Sequence, residues 1–157
     1  MGLEIKNNII KNPFYYLGFA IYCEEAEISG NTTYSDKYQY GYGIYCESIR
    51  NFKISNNQIN MPRNYMGMYF YNCGNGSSSR NLLSNNSIII SNNNTNSYGI
   101  YAYYLYNTDI LHNTVRVTNS NYTSYCLYQY SGSRNLVYNN IFANNGLGNP
   151  IYFSTSS

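Results

Sequence analysis

The chain has 157 residues, 10% of them charged, with a formal net charge of +2. Its nine Lys and Arg are scattered singly, with no basic stripe of the kind a nucleic-acid binder needs, and no segment approaches the length of a membrane span. Tyrosine is abundant at 22 residues, tryptophan is absent, and a hydrophobic content of 43% supports one domain with a real core rather than a disordered chain.

Residues 1–17, MGLEIKNNIIKNPFYYL, do not read as a signal peptide, because no basic segment precedes a long apolar core. They open on the first copy of a unit that returns along the whole chain. Its anchor is the second residue of "NN" or its equivalent: Asn8, Asn31, Asn57, Asn86, Asn113 and Asn140, at spacings of 23, 26, 29, 27 and 27. Three positions before each anchor stands Ile5, Ile28, Ile54, Leu83, Ile110 or Val137; two positions after it stands Ile10, Thr33, Ile59, Ile88, Val115 or Phe142. The residue just before the anchor is Asn, Gly, Asn, Asn, His and Asn in turn.

A second unit alternates with the first. It is a small residue, an aliphatic residue and a Tyr: AIY at 20, GIY at 43, GMY at 67, GIY at 99, CLY at 126 and PIY at 150. From its aliphatic residue to that of the next Asn unit is 10 residues in three repeats, 7 in the first, and 15 where CGNGSSS (73–79) intervenes. Length varies only between units, as expected if the units are strands and the rest loops.

Apolar residues alternate with period two in YGIYCES and YGIYAYY, and β-branched and aromatic types dominate, which predicts strands and not helices. A period of about 27 residues made of short strands and tight turns predicts a solenoid whose coils stack at ~4.8 Å. Where the chain bends sharply, one residue must adopt a left-handed conformation, which Asn tolerates better than any residue except Gly; Gly30 beside Asn31 fits the same need. Stacking then predicts an Asn ladder in which the six anchors hydrogen-bond from coil to coil, so that buried amides are paired.

The segments ISNNQI, LSNNSI, ILHNTV and VYNNIF, with the interleaved GIY strands, resemble the right-handed parallel β-helix superfamily, pectate-lyase-like in fold, over residues 3–153. The resemblance implies an all-β solenoid of about five to six coils with three short strands per coil. The GIY segments are then first strands, and the tight Asn turn joins second to third. The chain is also similar to repeat regions of large secreted or surface proteins, and to the NosD-like, copper-enzyme-associated repeats, although no His or Met cluster supports a copper role. The alternative solenoid is a leucine-rich repeat, whose signature is spelled by IRNFKISNNQI (49–59). Against it, the fifth position before the anchor is Ala26, Phe52, Asn81, Thr108 and Asn135, too polar for a leucine column.

Alternation assigns the faces of the first strands. Expected inward columns are Ile21, Ile44, Met68, Ile100, Leu127, Ile151 and Cys23, Cys46, Phe70, Ala102, Gln129, Phe153, so that Cys23 and Cys46 are stacked core thiols, acting as small hydrophobes or paired. Expected outward columns are Tyr22, Tyr45, Tyr69, Tyr101, Tyr128, Tyr152 and Glu24, Glu47, Tyr71, Tyr103, Tyr130, Ser154. In pectate-lyase-like enzymes this face carries the substrate groove. The tyrosines are therefore glycan-binding candidates, their rings suited to sugar faces and their hydroxyls to water. The same columns also follow from packing alone, since cross-strand aromatic pairs stabilise sheets.

Glu24 and Glu47 are expected in equivalent places on adjacent coils, ~5 Å apart. Such a pair could split its pKa values for acid and nucleophile roles or hold Ca²⁺, the only cofactor these residues suggest; it equally reads as two solvated surface carboxylates. No CxxC is present and His112 is the only histidine, so no zinc or other transition-metal site and no Ser/His/Asp or Cys/His arrangement is expected.

The chain opens inside a second strand and stops after a first strand, with no amphipathic capping helix. We expect residues 1–157 to be a single repeat domain within a longer, extracellular or cell-surface β-helix, prone to associate end to end. The expected function is a non-catalytic rigid scaffold that contacts polysaccharide through its Tyr-rich face, with the rest of the parent chain as its other partner. The alternative is part of a polysaccharide lyase or glycoside hydrolase.

Overall fold

The computed structural model describes residues 2–12, 16–36, 39–91, 96–120 and 122–154, without side-chain placement for residues 16–21, 39, 40 and 64. Eighteen strands follow one another in threes. The first coil holds β1 (Leu3–Lys6), β2 (Ile9–Lys11) and β3 (Tyr16–Ile21), and the second β4 (Glu25–Ser29), β5 (Thr32–Tyr34) and β6 (Gln39–Glu47). Then come β7 (Asn51–Ser55), β8 (Gln58–Met61) and β9 (Asn64–Cys73), and β10 (Asn81–Ser84), β11 (Ser87–Ser91) and β12 (Tyr98–Tyr106). The last two coils are β13 (Thr108–Leu111), β14 (Thr114–Thr118) and β15 (Tyr125–Ser133), and β16 (Leu136–Tyr138), β17 (Ile141–Asn144) and β18 (Ile151–Ser154).

Every third strand joins the same sheet, giving three parallel six-stranded sheets: A (β1-β4-β7-β10-β13-β16), B (β2-β5-β8-β11-β14-β17) and C (β3-β6-β9-β12-β15-β18). The molecule is a parallel β-helix. A leucine-rich repeat is overturned, because each repeat spends its residues on three strands and the described residues contain no helix.

Both aliphatic columns predicted around the Asn anchors are in register. Ile5, Ile28, Ile54, Leu83, Ile110 and Val137 stack through sheet A. Ile10, Thr33, Ile59, Ile88, Val115 and Phe142 stack through sheet B. With Ile44, Met68, Ile100 and Leu127 of sheet C they form one continuous core, fully buried in the middle coils. Each such aliphatic side chain contributes about 1.5–3 kcal/mol on burial.

The corner between sheets A and B divides its work between two adjacent residues. The residue before the anchor takes the left-handed conformation: Asn7, Gly30, Asn56, Asn85, His112 and Asn139, all with φ between 54° and 68°. The anchor turns its amide inward along the axis. Nδ2 donates to the next anchor's Oδ1 at 3.0 Å from Asn8 to Asn31, Asn31 to Asn57, Asn57 to Asn86 and Asn113 to Asn140, and at 2.9 Å from Asn86 to Asn113. The anchor's backbone N–H reaches the same oxygen, and its second Nδ2 hydrogen is given to a sheet A carbonyl of the preceding coil, such as Ile28 O from Asn57. All four hydrogen-bonding sites of the middle amides are filled, which removes the desolvation penalty of burying them.

The other two corners carry shorter ladders that the sequence analysis did not identify. Between sheets C and A, Asn81 Oδ1 accepts from Phe52 N–H and Asn135 Oδ1 from Thr108 N–H, both at 3.0 Å. Between B and C, Ser97 N–H donates to Ser124 Oγ at 3.1 Å, and Asn119 Nδ2 to Ser97 Oγ at 2.8 Å.

The small residue of the GIY unit has a steric cause. A Cβ on Gly67 would lie 2.4 Å from Ile88 Cγ2 and 2.6 Å from Gly99 O, so β9 passes directly against the aliphatic column of sheet B at this glycine.

The first coil departs from the expected alignment by three residues. Gly18, not Ile21, pairs with Ile44; Phe19 pairs with Tyr45, Ala20 with Cys46, and Ile21 with Glu47. Measured from Gly18, the distance to Ile28 becomes the same 10 residues found in three of the other repeats. Cys23 is consequently not stacked on Cys46 in the sheet; it lies beyond β3, half-buried, and all four cysteines are unbridged thiols. At the other end, Ile151 and Phe153 remain exposed, because no described strand lies beyond β18.

Candidate functional site on the tyrosine sheet

Strand pairing in sheet C fixes the outward columns. Tyr45, Tyr69, Tyr101, Tyr128 and Tyr152 lie in one register, and Glu47, Tyr71, Tyr103, Tyr130 and Ser154 in the next. The rings of the first column stack almost parallel: Tyr45–Tyr69 at 5.1 Å and 23°, Tyr69–Tyr101 at 5.4 Å and 22°, Tyr101–Tyr128 at 4.8 Å and 18°, Tyr128–Tyr152 at 4.9 Å and 8°. In the second, Tyr71–Tyr103 stack at 5.6 Å and 10° and Tyr103–Tyr130 at 4.9 Å and 8°. Each such pair adds about 0.5–1.5 kcal/mol beyond its area.

A third set of rings was not foreseen. Tyr42, Tyr98 and Tyr125 occupy one level of sheet C and meet the first column edge-on or tilted: Tyr42–Tyr45 at 5.4 Å and 78°, Tyr98–Tyr101 at 4.8 Å and 88°, Tyr125–Tyr128 at 5.3 Å and 53°. Residues three apart in a strand should face opposite ways. The ladder pairing passes over Gly43, Gly67 and Gly99, and this break puts both tyrosines on one side. The signal in the sequence was YGIY, a glycine inside an alternating run, which marks an irregularity in a strand.

This packing fixes what the face offers. Inner rings spend both π-faces on their neighbours and are half-buried; Tyr71 and Tyr152, 38% and 40% exposed, are the most open of the two columns. Burial pushes the Tyr69 and Tyr98 phenols up to about 12 and raises Tyr101 and Tyr128 as well, so the hydroxyls stay protonated donors and acceptors. Tyr45 donates to Glu47 Oε2 at 2.8 Å.

Two expected site residues lie elsewhere. Tyr22 is beyond β3, with φ 53°, 76% exposed, its N–H bonded to Glu47 O, and takes no place in the tyrosine column. Glu24 and Glu47 do not form a pair. The three-residue offset carries Glu24 to the level of Arg50 and Asn51, where its carboxylate meets Arg50 Nη1 at 3.0 Å and its carbonyl accepts from Asn51 N–H at 2.9 Å. Glu24 and Glu47 are therefore not the adjacent pair that acid–nucleophile chemistry or Ca²⁺ binding would have used.

Most other described charges line sheet A. Lys6 Nζ bridges Glu4 at 3.2 Å and Glu27 at 2.6 Å, Lys53 reaches Glu27 at 3.6 Å, and Arg80 pairs with Asp109. The hydrogen bond between them raises Lys6 and lowers Glu27 from their ordinary values. These neutralised pairs flank a shallow groove of about 460 Å³ floored by Leu3, Ala26 and Phe52.

The family model described as periplasmic copper-binding protein (NosD) matches residues 2–157. No curated protein and no solved structure matches the chain.

Proposed function

The chain belongs to the periplasmic copper-binding protein (NosD) family, and from that premise we propose that it is a rigid, non-catalytic β-helix scaffold whose tyrosine sheet contacts glycans. The periplasmic description of the family agrees with an exported location, and no helix among the described residues is long and apolar enough to cross a membrane. The scaffold role is supported by three in-register sheets tied at their corners by amide and hydroxyl ladders. Glycan contact is supported by one observation: the unbroken column Tyr45–Tyr69–Tyr101–Tyr128–Tyr152. Its hydroxyls and ring edges repeat at the coil spacing on one flat face. Contact there is by hydroxyl hydrogen bonds along the row, because the inner ring faces are already stacked.

The test keeps the rings and removes the hydroxyls. A Tyr69→Phe/Tyr101→Phe/Tyr128→Phe variant is compared with the parent for retardation by soluble polysaccharides in affinity electrophoresis. The parent is expected to be retarded by at least one polysaccharide and the variant not, at unchanged melting temperature. Equal mobility of the two in every polysaccharide sinks glycan contact and leaves the ladder as packing.

Copper binding is named in the family description. Copper takes converging Cys, Met or His ligands. Among the described residues no three His, Cys, Asp or Glu side chains come together. His112 sits exposed at a corner in the left-handed conformation. Burial pushes the Cys46 thiol well above its ordinary value and Cys73 and Cys126 up to about 12. The alternative, part of a polysaccharide lyase or glycoside hydrolase, would have to draw its acids from elsewhere than Glu24 paired with Glu47.

A further inference from the structure

The long connection CGNGSSS (73–79) between β9 and β10 is a turn tied down on both sides of a free tip. Ser77 N–H donates to Gly74 O at 3.3 Å, which puts Asn75 and Gly76 at that tip. Below it, Gly74 N–H donates to Ile49 O at 2.8 Å, Ser77 Oγ to Arg50 O at 2.7 Å and Ser78 N–H to Asn51 Oδ1 at 3.2 Å. Asn75 and Gly76 are exposed, and no described group accepts from the Gly76 N–H. Gly76 stands at φ 72°, with nothing within 4 Å of where a Cβ would be. A side chain on the residue after an asparagine shields the backbone nitrogen from the asparagine amide; glycine has none and lets the peptide rotate.

The chain has a second Asn–Gly step, Asn145–Gly146, in the opposite condition. Asn145 N–H donates to Val117 O at 2.9 Å, Gly146 N–H to Asn144 Oδ1 at 3.0 Å and Leu147 N–H to Asn119 O at 3.1 Å. A Cβ on Gly146 would collide with the backbone of Asn119. The nitrogen of this step is occupied and its peptide clamped. The Asn–Ser steps, where the shielding side chain is small, are held as well. Asn86 and Asn119 are 1% exposed, and after Asn96 the Ser97 N–H donates to Ser124 Oγ at 3.1 Å. In an asparagine-rich chain the fold singles out one amide.

We propose that Asn75 is a site of spontaneous modification, converted by attack of the Gly76 nitrogen and then of water into an aspartyl or isoaspartyl residue. The Gly76 nitrogen gives its proton to a solvent base and bonds to Asn75 Cγ. The Cγ–Nδ2 bond breaks, and ammonia leaves after taking a proton back from solvent. Water then adds to either carbonyl carbon of the five-membered imide and breaks that carbon's bond to the Gly76 nitrogen. Opening at Cγ restores the ordinary chain with a carboxylate side chain; opening at the backbone carbon routes the chain through Cβ and Cγ. One water is consumed and one ammonia released, and nothing is oxidised or reduced. The stretch from Cys73 to Ser79 carries no charge, so the conversion brings its first and lowers the formal net charge of the chain from +2 to +1. The ties to Ile49, Arg50 and Asn51 lie outside the altered bond, so the coils keep their stacking.

The test is peptide mapping by mass spectrometry after incubation in mildly alkaline buffer, on the native chain and in urea, with isoaspartyl methyltransferase labelling as a second readout. In the native chain the peptide holding Asn75 is expected to gain the amide-to-acid mass at least about tenfold faster than the one holding Asn145, since a clamped segment reacts only through local opening. In urea the two rates are expected to converge, because both asparagines precede glycine. Asn75→Gln and, separately, Gly76→Ala are expected to abolish the acidic form that the parent chain develops on ion exchange. A native chain that gains no mass at Asn75 overturns the proposal. So do equal native rates at Asn75 and Asn145, a native ratio that urea leaves unchanged, or an acidic form that persists undiminished in either variant.

Discussion

Asn57 gives Asn86 two hydrogen bonds through a single oxygen: its backbone N–H and its Nδ2 both reach Asn86 Oδ1 at 3.0 Å. Asn86 in turn sends its own amide to Asn113 Oδ1 and to Ile54 O, so the side chain lies 1% exposed with nothing unsatisfied. Its neighbour Asn85, exposed at φ 54°, is there for its backbone alone.

Adjacent asparagines should therefore respond oppositely to substitution. Asn86→Ala strands buried donors and acceptors on the two neighbouring coils and is expected to cost on the order of 4 kcal/mol, at about 1–3 kcal/mol for each group left unpaired. Asn85→Gly is expected to change stability by less than ~0.5 kcal/mol, while Asn85→Val costs about 1–2 kcal/mol from its β-branch in the left-handed region. Urea unfolding followed by circular dichroism checks all three; equal costs at 85 and 86 would contradict this division of roles.

Gly67→Ala is expected to destabilise by at least about 1–3 kcal/mol, as overpacking does in a filled core. The added Cβ would meet a branched carbon of Ile88 at 2.4 Å and the backbone of the next coil at Gly99 O, neither of which is a flexible side-chain tip. A melting temperature unchanged by the substitution would mean that β9 has room the packing denies it.

Stability should fall at alkaline pH. Burial holds the Tyr69 and Tyr98 phenols at about 12, above the unfolded value of about 10. Between these values the folded chain keeps protons that the unfolded chain has lost, so the contribution is full below pH about 10 and disappears as pH rises through about 12. The urea midpoint is expected to drop across that window, and to drop less steeply in Tyr69→Phe.

A thiol-specific reagent should separate the cysteines. Cys46, Cys73 and Cys126 are fully buried and held protonated by that burial, whereas Cys23 is half-buried. One thiol per chain is expected to react with the native protein, mapped to Cys23 by mass spectrometry, and the remaining three only in denaturant. Fast native labelling of Cys46 would contradict the packing of the sheet C core.

The repeated Asn anchors and the aliphatic residues at fixed offsets around them specified the parallel β-helix from sequence alone, because both come from local constraints. A sharp corner demands a left-handed residue, and period-two alternation demands a strand with a buried face, whatever the rest of the chain does. Register across sheet C was legible wherever the spacing to the next Asn unit was regular, as for Ile44, Ile100 and Leu127. It failed in the first coil, where AIY at 20–22 imitates the motif and the 7-residue spacing to Ile28 was the only warning.

Only the tertiary structure decided what the tyrosine face presents and whether acids meet. Glu24 sits with Arg50 and not with Glu47 because a three-residue slip along a strand moves a side chain ~10 Å and reverses its face. The rings of Tyr69, Tyr101 and Tyr128 close on one another because parallel pairing sets them one strand spacing apart, a distance fixed by backbone hydrogen bonds between residues 27 to 32 positions apart in the chain. Local sequence dictates conformation; which side chains become neighbours across coils depends on loop lengths summed around each turn, and only the folded molecule shows that sum.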